Sequence, residues 1–371
     1  MKKSEYQAIA FDQRLPSRYG PMNGTTITAA LFGSEAGRRI FMTTRLVLGV
    51  LLAMGALSCT SMVEFLAAPQ KRLYRSDDYV IYPLDGMEST ADLAQRFLQD
   101  RRKAWIIEEA NPGNRLQRGD YVVIPLREDH KGGLSADGFQ TVPILTYHRF
   151  AETCSSPLCI PAQIFDRQMR FLKENGYHVI TPDDLLDFLY YRRGLPRKSV
   201  MITVDDGYRS VYDIAYPILK RYDFKATMMI YTSFVGVSKQ AITWDQLRQL
   251  RAEGFAIGSH TIFHSDLTNL REGENEDAFA QRVFQELDGS KRILDQKIGQ
   301  DTYILAYPFG YYDRRVMEMA RRAGYKMALS VTRGGNPFFA NTLSLKRDQI
   351  LARDMATFKS RLKTFEKLPL K

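Results

Sequence analysis

Cysteine, tryptophan and histidine are scarce here: three, two and five residues, respectively, in a chain of 371. No cysteines stand with histidines at zinc-finger spacing, and no basic helix carries a heptad repeat, so these sequence-readable nucleic-acid binders are excluded. No internal repeat or low-complexity run occurs. The net charge of +10 is spread along the whole length. Such a spread fits solubility or attraction to an anionic surface, and no nucleic-acid partner is expected. The length allows two or three domains.

No apolar run near the N-terminus reaches the roughly 20 residues of a membrane-spanning helix. In MTTRLVLGVLLAMGALSC (42–59), an apolar run from Leu46 to Leu57 follows Arg38, Arg39 and Arg45. This suits a secretory segment. The closing Ala-Leu-Ser-Cys resembles a bacterial lipobox, with Ala56 where leucine is usual; it implies lipid on Cys59 and a membrane anchor in the cell envelope. An uncleaved anchor and ordinary signal-peptidase cleavage are the alternatives. Residues 1–59 are therefore expected to be an export segment with an N-terminal extension. Export leaves Cys154 and Cys159 of CSSPLC either to close a small ring or to remain two thiols.

Residues 79–126 read as strand, helix, helix, strand. YVIY alternates, and Ser89 or Thr90 can cap a helix bearing Leu93, Ala94, Phe97 and Leu98 at helical spacing. A second helix covers Ala104 to Ala110 and stops at Asn-Pro-Gly, and RGDYVVIPL supplies the closing strand. This βααβ unit, above all NPGNRLQRGDYVVIPL, resembles the LysM module, with LDGMEST in place of the usual Gly-Asp-Thr. The resemblance implies binding to N-acetylglucosamine chains; a structural spacer is the plainer alternative. The polar, glycine-containing stretch 127–141 reads as a linker, with His130 solvated.

From residue 142 to 371 the pattern becomes α/β. The strands VPILTYH, VMITVDDG, FKATMMIY, FAIGSH, YILAYP and YKMALS alternate with amphipathic helices, including a long polar one between about Asn275 and Ile298. At least six such strands in about 230 residues predict a distorted (β/α) barrel. Active sites of such barrels lie at the carboxyl ends of the strands. Those ends here offer His148, Asp205, Asp206, His260 and His264, and the turn Tyr307-Pro308-Phe309-Gly310. Singly these are weak signals, since Asp-Asp-Gly is usually a turn. Together they make a set: one carboxylate and two imidazoles can hold a catalytic ion with an open position, and the other carboxylate can serve as general base. HTIFH lacks the glutamate of a helical HExxH protease.

TVDDG, SHTIFH and AYPFG, in this order, resemble the first three motifs of the polysaccharide deacetylase (NodB-homology) family, and flanking phrases extend the resemblance over roughly residues 142–350. It implies metal-dependent N-deacetylation of polysaccharide containing N-acetylglucosamine, with Asp205 as base and Asp206, His260 and His264 as metal ligands. It also implies the Phe309 N–H as an oxyanion donor, with Tyr307 and Pro308 at the substrate. Zinc suits the ligand types, and cobalt, nickel or manganese can occupy an Asp-His-His site. Two departures stand out. The family's arginine two residues before the proline is Ala306, for which Arg347 in SLKRDQI is the candidate replacement near the substrate. The C-terminal Leu-x-His is absent; in the branch resembling poly-N-acetylglucosamine deacetylases a histidine near the N-terminal strand serves instead, and LTYH puts His148 there as general acid. The rival expectations are a catalytically inactive, wall-binding lipoprotein and a hydrolase of small cyclic amides.

Overall fold

The computed structural model describes residues 73–368 apart from 87, 112–116, 128–131, 136–137 and 352–353. Cys59 with the rest of the expected export segment, and His130, lie outside the described residues. Among the described residues no helix is long and apolar enough to cross a membrane.

The first unit contains β1 (Tyr74–Arg75), β2 (Tyr79–Pro83), α1 (Thr90–Leu98), α2 (Ala104–Ala110) and β3 (Tyr121–Pro125), with β2 antiparallel between β1 and β3. The Ser89 side chain accepts from the Asp92 N–H while the Asp92 carboxylate accepts from the Ser89 N–H, so a capping box starts α1. Val80, Leu93, Ala94, Ile107, Val122 and Ile124 bury one another in a small core of their own. That core is why the helical and strand periodicities of 79–126 are legible in its sequence.

Seven strands build the larger sheet: β4 (Ile144–Tyr147), β5 (Ser199–Asp206), β6 (Thr227–Ile230), β7 (Ala256–Ser259), β8 (Ile304–Ala306), β9 (Met327–Leu329) and β10 (Asp348–Gln349). They run parallel in the order β9-β8-β7-β6-β5-β4-β10, and His178–Val179 adds a short pairing to β5. Helices α3 (Ala162–Glu174), α4 (Pro182–Leu189), α5 (Tyr216–Arg221), α6 (Trp244–Ala252), α7 (Glu276–Leu294) and α8 (Arg314–Arg322) connect them. Just before β10, Leu345 bridges Leu329 of β9, while β10 itself pairs with β4. Residues 345–349 thus form a seam between the two edges of a parallel sheet of the (β/α)-barrel kind.

Strand alternation sorts the side chains of β5. Val200, Ile202 and Val204 pack outward in the same cluster as Phe165, Leu219 and Leu247 of the helices, whereas Met201 joins the inner cluster of Ile144, Met229 and Met327. Thr203 and Asp205 share the inward parity of Met201. An otherwise apolar interior therefore carries a carboxylate at its carboxyl end.

One expectation changes. The stretch 127–141 is not simply a linker: Leu134–Ser135 and Gly138–Gln140 form an antiparallel sheet with the C-terminal Phe365–Lys367, and buried Gln140 Nε2 donates to Pro196 O at 2.6 Å. Its polar composition misleads because backbone pairing and the buried Gln140 hydrogen bond, not apolar burial, integrate it. The long polar helix lies where expected, as α7 to Leu294 continued by a π-helical turn over Asp295–Gly299. Of the two options for CSSPLC, the ring is formed: Cys154 and Cys159 are joined at an S–S distance of 2.07 Å.

Candidate active site

β5 delivers two neighbouring carboxylates to one place because its last residue is no longer extended. Asp206 has φ 77 and Gly207 φ 84. Aspartate tolerates this left-handed region better than most residues, and glycine adopts it freely. Asp205 Oδ2 lies 3.9 Å and Asp206 Oδ1 3.7 Å from the same atom, His260 Nε2. Both carboxylates therefore face one imidazole.

The two histidines follow β7 on a tight loop in which Thr261 (φ 70) and His264 (φ 55) are also left-handed. For a β-branched residue such as Thr261 this conformation costs about 1–3 kcal/mol and must be held by its surroundings. Glu286 of α7 holds it. This buried carboxylate accepts from the Ile262 N–H at 2.9 Å, the Phe263 N–H at 3.1 Å and the Ser265 hydroxyl at 3.3 Å. Gly289 of the same helix packs against this turn; a Cβ there would stand 2.8 Å from Ile262 Cδ1. Sequence reading missed Glu286, and no local signal marks it, since a glutamate on a polar helix is normally solvated.

His260 Nδ1 lies 2.7 Å from the Ala306 carbonyl oxygen. As the donor to that carbonyl, Nδ1 carries the proton and Nε2 keeps its lone pair toward the carboxylates, the arrangement typical of a metal-ligating histidine. His264 Nε2 stands 3.6 Å from Asp206 Oδ1. Asp206, His260 and His264 form a group whose ligand atoms lie within 4.8 Å of one another. Two ligands each about 2.1 Å from a tetrahedral ion are about 3.4 Å apart, so these spacings and donor types fit a divalent ion. Burial pushes Asp206 up to about 6, opposed by the charge of His148 and assisted by that of Asp205. Burial pushes His260 down to about 3, so its imidazole is neutral and ready to ligate.

Asp205 is differently placed. Arg347, fully buried, donates through Nη1 to Asp205 Oδ1 at 2.8 Å and to Thr203 Oγ1 at 3.2 Å, and through Nε to Ser330 O at 2.8 Å. Burial alone would raise the Asp205 carboxyl, but the charge of Arg347 and its hydrogen bond outweigh it and hold it below its ordinary value. The guanidinium that Ala306 cannot supply thus comes from the seam. His148 directly follows β4, is nearly buried, and lies near enough for its charge to act on both carboxylates.

The AYPFG turn divides. Phe309 is left-handed (φ 58) and half-exposed, its ring 4.6 Å from that of His264. Tyr307 and Pro308, expected at the substrate, are buried. Alternation along β8 explains Tyr307. Ile304 and Ala306 face inward, so Leu305 and Tyr307 face the outer cluster with α7 and α8, where the Tyr307 hydroxyl donates to Leu343 O at 2.9 Å. Arg347 likewise offers no surface to a substrate; its contact is with Asp205.

Residues 192–328 match the family described as polysaccharide deacetylase. The matched span contains both carboxylates, both histidines and the AYPFG turn, and excludes His148 and Arg347. The chain is 33% identical over 193 residues to the Bacillus subtilis protein YxkH, which bears the same family's name; the match covers 52% of this chain and 65% of that relative's length. It is 26% identical over 196 residues to poly-beta-1,6-N-acetyl-D-glucosamine N-deacetylase of Staphylococcus aureus, covering 50% of this chain and 67% of that one. Among solved structures it is similar to the Streptococcus pyogenes deacetylase PplD in complex with acetate, with a TM-score of 0.55 and 28% identity over 61% of this chain and 99% of that one.

Proposed function

We propose that this chain, whose residues 192–328 match the polysaccharide deacetylase family, is a metal-dependent hydrolase that removes N-acetyl groups from a polysaccharide containing N-acetylglucosamine. The observation that carries the reading is the division of labour between adjacent carboxylates: Asp206 grouped with two imidazoles, Asp205 held by Arg347. The Staphylococcus aureus relative, by its name, acts on such a polymer.

A divalent ion at Asp206, His260 and His264, most readily zinc, would lower the pKa of a water from about 15.7 toward about 7 and polarise the acetyl carbonyl. Asp205, kept ionised, takes the proton of the attacking water. The Phe309 N–H donates to the oxygen that gains charge as the carbonyl becomes tetrahedral. His148 protonates the departing amine, and acetate leaves.

Around this centre we propose that residues 79–126 bind the same class of polymer, supported by their βααβ order. We further propose that the chain is exported and held at the membrane of the cell envelope through Cys59, supported by the apolar run before it. Acetate release from peptidoglycan, poly-β-1,6-N-acetylglucosamine and chitin oligomers, each with and without chelator, tests the reaction. Chelator-sensitive release from at least one is expected. No release from any by the metal-loaded protein would favour a catalytically inactive binding protein.

A further inference from the structure

We propose that the cleft beside the candidate active site is an anion-binding subsite, so that the preferred polymer carries a carboxylate or phosphate close to the sugar being deacetylated. Its place in a reaction rests on the deacetylase reading above; the binding itself is a property of the cleft.

The cleft has a volume of about 530 Å³, and its lining includes Arg149, Tyr208, Arg209, Asp213, Lys239 and the Cys154–Cys159 disulfide. That is the size of a small-molecule site. Its walls continue the two strands that carry the chemistry, starting one residue beyond His148 and two beyond Asp206.

These walls are tied together before any ligand arrives. Arg149–Ala151 pairs in parallel with Cys159–Pro161, and the disulfide closes the loop between them. The Phe150 N–H donates to Ser210 Oγ at 3.1 Å, joining the wall after β4 to the wall after β5. The Arg209 N–H donates to Gln240 O at 2.7 Å, and Tyr208 bridges Ala241, fixing the loop that carries Lys239. A cleft fixed in this way loses little entropy when it binds.

Its charge is one-sided. Three cations line it against one carboxylate, and that carboxylate, Asp213, already pairs with Arg209 at 3.1 Å. The Arg149 guanidinium lies 5.0 Å over the Tyr208 ring and has no ion pair among the described residues; neither has Lys239. A neutral sugar offers these two cations only weak acceptors, whereas a carboxylate or phosphate gives charge-assisted hydrogen bonds. The loops after β7 and β8 instead expose the uncharged rings of Phe263, Phe309 and Tyr311. Rings of this kind suit the apolar faces of sugars. An anionic unit is thereby directed to the cleft.

The test is calorimetric binding to the metal-free protein of three six-unit probes: neutral chitohexaose, an alternating N-acetylglucosamine–glucuronate hexasaccharide, and a glycerol-phosphate oligomer. At about 0.02 M salt at least one anionic probe should bind about tenfold more tightly than chitohexaose, and the advantage should fade toward about 0.5 M. Which probe gains identifies carboxylate or phosphate as the source. Combining Arg149→Gln with Lys239→Glu should abolish the advantage. Lys239→Glu alone, at an exposed loop position, should reduce it several-fold even if the double variant does not fold. Lys367→Glu, which changes net charge equally at a remote strand, should leave it intact. Equal affinity for all three probes, or an advantage that Lys239→Glu leaves undiminished, overturns the subsite. Acetate release measured alongside keeps the readings apart: anion preference without acetate overturns only the enzyme, and acetate without preference overturns only the subsite.

Discussion

Arg347 Nη1 stands 2.8 Å from Asp205 Oδ1, a bond that spans 142 residues of chain and joins two side chains almost wholly sealed from solvent. It separates two carboxylates that the sequence places side by side. Asp205 has a fixed counter-charge, whereas Asp206 is left to burial and to whatever cation the histidines help to hold.

Removing that counter-charge should be costly. Arg347→Met leaves a buried carboxylate unpaired, and a loss of about 3–5 kcal/mol is expected in denaturant titrations. The sign follows from the depressed Asp205 pKa. In the wild type this group contributes stability above its unfolded pKa and loses it as pH falls. In the variant burial dominates and the pKa rises, so the stability deficit should be largest near neutral pH and shrink on acidification. A deficit independent of pH would mean that Arg347 acts by packing alone.

His264→Ala and Asp206→Ala should each lose the ion and deacetylation together while the protein stays folded, because two ligands are too few to retain it. Metal affinity of the wild type should also fall about tenfold per pH unit below about 6, where the Asp206 carboxyl takes up a proton that the ion must displace. Full occupancy in either variant, by elemental analysis, would remove that residue from the ligand set.

Glu286 touches no candidate ligand side chain, yet Glu286→Ala should weaken metal binding by about 10–100-fold, the usual effect of removing an outer support. The left-handed turn between His260 and His264 then loses three hydrogen bonds. Competition with a chelating dye would measure it, and Glu286→Gln, which keeps one acceptor oxygen, should recover part of the loss. Wild-type affinity in Glu286→Ala would show that the turn holds itself.

His148→Ala should lower kcat by about 10²–10⁴ with the ion retained, as expected for a lost general acid. An unchanged kcat and an unchanged basic limb of the pH profile would return His148 to a structural role.

What was legible in the sequence was what strands and their ends encode locally. Adjacent aspartates before a glycine, and histidines four apart after a strand, are near one another along the chain, so their meeting is legible from short segments. Arg347 was accessible only indirectly, through the alanine standing at 306. Tyr307 was misplaced although its signal was present: the alternation that turns Ala306 inward turns its neighbour outward. Glu286 had no signal, because its partners lie 21 to 24 residues away and meet it only when α7 docks.

The seam has a consequence for the order in which the molecule is made. Every strand bearing a candidate ligand or proton donor precedes Leu345, so a ribosome has synthesised all of them before Arg347 exists. Until residues 345–349 insert between β4 and β9, Asp205 faces an apolar interior without its cation. A chain that stops short of Arg347 therefore carries Asp205 without that counter-charge. The charge balance of Asp205 thus depends on a segment that follows every candidate ligand along the chain.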